Sequence, residues 1–193
     1  VSRDAVVAGW GSSPKQAAVR GERHADVPCG GCVACCTSSQ FVHVGPDEHD
    51  TLARIPVELL VPAPGLPAGH QVMGYGERGH CPMLVDGACS VYEHRPRTCR
   101  TYDCRVFRAT GIEPDAARPA IIARAARWRF DHPTVDDQRL HDACRAAAAL
   151  LAMRAEPLAP TRRAVAAIEL HQLFLDATPE PAAVDAALAH RRR

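Results

Sequence analysis

The sequence predicts an α+β protein: a small, cysteine-rich, metal-organised module with short strands, followed by a C-terminal region of three or four helices. Three observations predict it. Eight of the nine cysteines fall in two tight groups, Cys29, Cys32, Cys35 and Cys36, then Cys81, Cys89, Cys99 and Cys104. Around them lie short β-type runs and turn residues rather than helical stripes. After about residue 115 alanine dominates, and apolar residues recur at helical spacing. The expected organisation is a mobile N-terminal arm over 1–26, a metal-binding module over 27–110, and a helical region over 111–193 packed on it.

Residues 1–26 are polar, Gly-containing and aperiodic apart from Trp10, which reads as an arm. Phe41-Val42-His43-Val44 has the composition of a strand. Gly45-Pro46-Asp47-Glu48 then opens a helix, with proline early and acids in the first turn, and Pro56 bounds its end. Residues 56–80 are rich in proline and glycine and read as an irregular connection, too long for an ordinary loop. Pro82 to Tyr92 reads as a hairpin turning at Asp86-Gly87, with Met83-Leu84-Val85 facing Ser90-Val91-Tyr92. Pro96 begins a single turn that presents Cys99.

Beyond 115, Ile121, Ala125 and Trp128 share one helical face, and Leu140, Cys144, Ala147 and Leu151 another. Val165, Ile168 and Leu175 mark a third helix, and Val184 with Leu188 a weaker fourth. Thr134 with Asp137, Thr161 after Pro160, and Thr178 before Pro179 are the N-terminal stops. Cys144 sits on an apolar stripe and reads as a small buried hydrophobe.

The chain has 193 residues, 47% of them hydrophobic, enough for a real core. A net charge of +1 gives no pull toward nucleic acid or an anionic membrane, and neither is an expected partner. The C-terminal Arg191-Arg192-Arg193 is too short a basic run to change that. No apolar run approaches the roughly 20 residues that span a bilayer. No signal-peptide h-region is visible. A cytoplasmic location is therefore expected, where clustered cysteines serve as metal ligands more often than as disulfides.

Cys29-x₂-Cys32-x₂-Cys35 has the spacing that sets three thiolates on adjacent corners of a [4Fe–4S] cube, with a remote fourth ligand followed by proline. Cys81-Pro82 meets that description, and Cys36, Cys89, Cys99 and Cys104 remain for a second site. Zinc is the alternative, since eight thiolates fill two tetrahedral sites. The second group's spacings of 8, 10 and 5 differ from paired C-x₂-C knuckles, so iron–sulfur leads. His80 and His94 flank cysteines and are reserve ligands. Arg95, Arg97 and Arg100 lie among the second group. Arg95 and Arg100, with Tyr102, are the candidates for offsetting thiolate charge, contacting an anionic ligand or screening the site from water. Tyr92 shares that screening role or belongs to the core.

The ordered set C-x₂-C-x₂-C-C, C-P-x-L, C-x-V-Y, R-P-x-x-C-R and Y-x-C, over about 29–104, resembles the CxxCxxCC, or YkgJ-type, family. It rests on Cys29, Cys32, Cys35, Cys36, Cys81, Cys89, Arg95, Pro96, Cys99, Arg100, Tyr102 and Cys104. The resemblance implies chelation of zinc or iron and little about a reaction. A similar cysteine module occurs in flagellin lysine-N-methylases, which raises methyl transfer.

No phosphate-binding loop, G-x-G-x-x-G after a strand, G-x-S-x-G or H-E-x-x-H is present, nor the C-x₃-C-x₂-C of radical S-adenosylmethionine enzymes. No catalytic residue and no organic substrate are assigned. The leading expectation is an intracellular redox or accessory metal protein. The alternatives are a metal-dependent modifying enzyme, or a zinc-stabilised interaction module whose helices bind a protein partner.

Overall fold

The structure is a computed structural model and describes residues 6–7, 27, 29–156, 158–176 and 179–190. In chain order its elements are β1 (Val6–Val7), β2 (Val42–Val44), α1 (His49–Leu52), β3 (Leu60–Pro62), β4 (Gln71–Met73), β5 (Leu84–Val85), β6 (Ala88–Cys89), α2 (Arg97–Thr101), α3 (Arg105–Thr110), α4 (Pro119–Ala126), β7 (Arg129–Phe130), α5 (Val135–Ala152), α6 (Pro160–Leu170) and α7 (Pro181–His190). Short strands precede long helices, as an α+β chain requires. The chain divides into two compact units, with a boundary between Asp103 and Cys104; Ala117–Ile121 counts with the first.

The first unit is built on a three-stranded antiparallel sheet in the order β2-β4-β3. Val42 pairs with Met73 and Val44 with Gln71. Strand alternation turns Val42 and Val44 to one face, where they join Ile55, Met73, Met83 and Val91 in a buried cluster. Leu60 pairs with the other edge of Met73. Thus the 56–80 connection, expected to be irregular, contributes two strands. Each is only three residues long, so no period of two can be read from it. Pro62 is tolerated because β3 lies at the sheet edge.

The 82–92 hairpin forms around Asp86-Gly87, both at positive φ (50° and 77°), as a two-residue hairpin turn demands. Leu84 pairs with Cys89 and Val85 with Ala88, so Cys89 is itself a strand residue; the second strand is Ala88–Cys89 rather than the expected Ser90-Val91-Tyr92, since a two-residue turn leaves no gap and Tyr92 already begins a 3-10 turn. Pro96 caps α2, which carries Cys99 in its middle.

In the second unit, Thr134 and Asp137 form the reciprocal capping box that starts α5. Ala143, Cys144, Ala147 and Leu151 of α5 are buried, as are Ala164, Ala167 and Ile168 of α6 and Val106 and Phe107 of α3. The alanines let helix backbones approach closely. The few large residues supply most of the burial energy, about 1.5–3 kcal/mol each. Helix α6 begins with Pro160 at its first position after Ala159, so Thr161 is inside the helix rather than its stop. Val165 is only half-buried, and Leu175 lies beyond the helix end. Thr178 lies outside the described residues. In α7 only Val184 is buried.

Helix α3 was not legible from apolar spacing, although its stop is: Gly111 ends it at φ 71°. The expected arm, 1–26, lies outside the described residues except for Val6–Val7, which pair in parallel with β7. No helix among the described residues is long and apolar enough to cross a membrane.

Candidate metal centre

The first cysteine group sits in a run of turns. Gly30 has φ 56°, and the amide of Cys32 donates to the carbonyl of Cys29 at 3.1 Å. Ser38 donates back to Cys35, and the Ser38 hydroxyl to Ala34, which winds residues 33–38 tightly. Two backbone hydrogen bonds then tie this segment to the second group. The Cys81 amide donates to the Cys36 carbonyl at 2.7 Å, and the Ser39 amide to the Gly79 carbonyl at 2.9 Å. This short ladder is how residues 45 positions apart in sequence come together.

The ladder constrains Gly79. Its φ is 71°, and a Cβ placed there would collide with Ser39 Oγ. Gly79→Ala should therefore force the Ser39 side chain aside on top of the backbone strain, and lower bound metal, measured on the purified variant. Gly87→Ala is the control. It carries the same backbone strain, but open space surrounds a Cβ there. Metal loss no greater than in that control would show that the ladder does not position the thiols.

Cys89 comes from β6 and Cys99 from α2; with Cys81, both pack against the buried apolar cluster. Burial pushes the Cys99 thiol up to about 12, with Cys81, Cys36 and Cys89 adding to the shift and Arg95 opposing it. Burial likewise raises Cys36 to about 11, helped by Cys81, Cys89, Cys32 and Cys29. Cys81 is raised by burial, against the amides of Met83 and Leu84, which favour its thiolate. Cys36 therefore shares an electrostatic field with Cys81, Cys89, Cys32 and Cys29, and Cys99 with Cys81, Cys36 and Cys89. The spacing-based partition joined Cys81 to Cys29, Cys32 and Cys35. The electrostatics place Cys81 beside Cys36, Cys89 and Cys99, and Cys36 in turn beside Cys29 and Cys32, so both groups meet around Cys36.

A thiol that holds its proton more tightly folded than unfolded stabilises the fold only while protonated. That contribution is complete below the ordinary thiol value of 9.0 and is lost as pH rises toward 11–12. The metal-free chain should lose stability progressively above about pH 9, seen as a falling urea midpoint. A midpoint flat from pH 8 to 11 would contradict the burial of these thiols.

The remaining sequence-selected residues are placed as follows. Arg95 is 8% exposed; its guanidinium lies 3.9 Å from the Tyr92 ring centroid and donates to the Tyr92 carbonyl at 2.7 Å. Tyr92 is half-buried under that cation. Arg100 and Tyr102 are half-buried at the end of α2, where the Arg100 carbonyl accepts from the Val27 amide at 2.7 Å. His80 and His94 are half-buried, and the His94 carbonyl accepts from Thr51. Cys104 opens α3 in the second unit, and the indole N–H of Trp128 donates to its sulfur at 3.2 Å. Arg124 stacks on that indole at 4.5 Å.

Sequence reasoning missed Trp128 and Glu48 as site residues. Glu48 is buried, and it accepts from the Gly45 amide at 2.7 Å and from the Arg97 amide at 2.5 Å, just before Cys99. Both look like ordinary core or helix-start residues in the sequence. Their roles arise only from partners 24 and 49 positions away.

What the first unit defines is a thiol-rich module whose cysteines converge from four separate segments. Residues 28–119 match the model of the CxxCxxCC family, described as a "Putative zinc- or iron-chelating domain". No curated protein and no solved structure matches the chain.

The donor chemistry fits a thiophilic cation. Soft sulfur ligands held near one another at the edge of an apolar core select zinc, iron–sulfur or copper(I) over hard cations. Among the described residues, no three Cys, His, Asp or Glu side chains are already closed into a metal-binding set. The fit therefore rests on donor type and proximity.

Proposed function

We propose that the chain is a thiolate-ligated iron–sulfur protein with a redox or accessory role, drawing its ligands from Cys29, Cys32, Cys35, Cys36, Cys81, Cys89, Cys99 and Cys104. The observation that carries this reading is the meeting of Cys36, Cys81, Cys89 and Cys99 in one field. Four half-buried thiolates without a counter-ion would repel one another. A bound cation removes that repulsion, and its binding releases the thiol protons. These four form one ligand set. Cys29, Cys32 and Cys35 contribute to a second at ferredoxin-like spacing.

Iron–sulfur is favoured over zinc by the Cys29-x₂-Cys32-x₂-Cys35 spacing. A bound cluster supplies one-electron transfer. The chain's own residues hold it and shape its surroundings. Arg95 places a positive charge beside Cys99, which favours the thiolate. Tyr92 holds Arg95 in place, and Arg100 and Tyr102 supply a cationic and an aromatic side chain near the end of α2. Trp128 orients the Cys104 sulfur through its N–H, the kind of outer hydrogen bond that tunes a metal–thiolate bond.

The test is anaerobic purification followed by iron, sulfide and zinc analysis and a redox titration of the visible spectrum. Iron and sulfide in near-equal amounts with a reversible transition support the proposal. A colourless protein with stoichiometric zinc and no sulfide overturns it in favour of a structural zinc module.

A further inference from the structure

We infer that Arg108, His132, His141 and Arg145 form a binding site for a small phosphate-type dianion on the helical unit, using none of the cysteines. The four come from three places: Arg108 from α3, His132 from the segment after β7, and His141 and Arg145 from one face of α5, four residues apart. The His132 and His141 rings lie 4.6 Å apart, with Phe130 5.8 Å from His141 on its other contact. The guanidinium of Arg145 reaches over the end of α3. Its Nη2 lies 3.2 Å from where a Cβ of Gly111 would stand, a tight approach.

Charge is what sets this cluster apart. The groups facing His141 are His132, Arg145, Arg108 and Asp142, so a single carboxylate stands against two fixed cations and two imidazoles. Asp142 is itself turned to Gln138, whose amide donates to it at 2.9 Å. Neither Arg108 nor Arg145 makes a hydrogen bond or ion pair with any described residue. Burial first, and then His132 and the two arginines, hold His141 below the ordinary 6.5.

Two half-buried imidazoles at this spacing would suit a metal in other surroundings. Two guanidiniums beside them oppose a cation and favour an anion. Guanidinium forks match the oxygen geometry of phosphate, and a protonated imidazole adds a further charged donor. The dianion in turn favours His141 in its charged form. Binding should therefore be tight below neutrality and weaken as pH rises through the titration of the bound-state histidine.

The experiment is a titration of the full-length, as-purified chain with inorganic phosphate, phenyl phosphate and sulfate at constant ionic strength. It is followed by calorimetry and by the imidazole resonances. The expected result is saturable binding, an upward move in the His141 titration midpoint, and, for sulfate, which is a dianion at both values, affinity at pH 6 exceeding that at pH 8. Arg108→Gln and Arg145→Gln alter exposed side chains and should each weaken binding about tenfold, the worth of one charge-assisted hydrogen bond. Asp142→Asn should tighten it, which no loss of folding could mimic. Binding that does not saturate, equal affinity for acetate, or unchanged affinity in both arginine variants would each overturn the proposal. The outcome is independent of which metal the cysteines hold.

Discussion

Cys99→Ser is expected to strip most of the bound metal and leave the cysteine module open to proteolysis, and Cys32→Ser to do the same. Cys144→Ala should keep its metal. Cys99 sits on α2 against the apolar cluster and shares its field with Cys36, Cys81 and Cys89, so a serine there removes a thiolate coupled to three others and puts a poor ligand in its place. The backbone cannot move to compensate, because the Thr98 hydroxyl donates to the His43 carbonyl at 2.9 Å and fixes α2 to β2. Cys32 lies in the tightest run of turns, where its neighbours cannot shift to replace it. Cys144 is different in kind. Its thiol is pushed up to about 12 by burial alone, with no other thiol contributing. It packs in α5 as a small hydrophobe, so alanine costs about 1 kcal/mol or less. Metal content of the three purified variants decides the matter. Equal metal loss in the Cys144 variant would mean that α5 supplies a ligand.

The sequence made local features readable and left long-range ones hidden, for a physical reason. The Asp86-Gly87 turn, the Thr134–Asp137 box and the apolar stripe of α5 are each set by residues within a few positions, so they can be recognised before folding. The β2-β4-β3 sheet is not of this kind. Its strands are too short to show alternation, and what makes them strands is their pairing with one another. The same holds for the thiols. Spacing identified which cysteines matter as ligand candidates, since the chemistry of close thiols is local. What spacing does not contain is how they approach one another: Cys36 meets Cys81 through a backbone ladder, and Cys99 arrives on a separate helix. The parallel pairing of Val6–Val7 with β7, across more than a hundred residues, had no sequence signature at all.

Glu48→Ala should be among the most destabilising single changes in the first unit, costing roughly 2–4 kcal/mol from two charge-assisted hydrogen bonds. Glu48 is 8% exposed and works through both carboxylate oxygens: Oε2 accepts from the Gly45 amide, and Oε1 from the Arg97 amide at the start of α2. It thus pins the end of β2 to the helix that carries Cys99. Alanine would leave two backbone N–H groups without their acceptor. Glu48→Gln separates charge from shape: an amide can present one oxygen, but its NH₂ must face the other N–H, so a smaller but distinct loss is expected. The neighbouring Asp47→Ala is the control. Asp47 pairs with Arg97 at 2.5 Å, yet both side chains are more than half exposed, at 64% and 51%. Such surface pairs contribute about 0–1 kcal/mol. Urea denaturation of the three variants gives the order of costs, and metal affinity gives the consequence for the site. Because Glu48 acts through Arg97 on Cys99, its alanine variant should bind metal more weakly even under conditions where it is fully folded. If Glu48→Ala is no more costly than Asp47→Ala and binds metal normally, then α2 is held by its apolar contacts alone, and the buried carboxylate does not position Cys99.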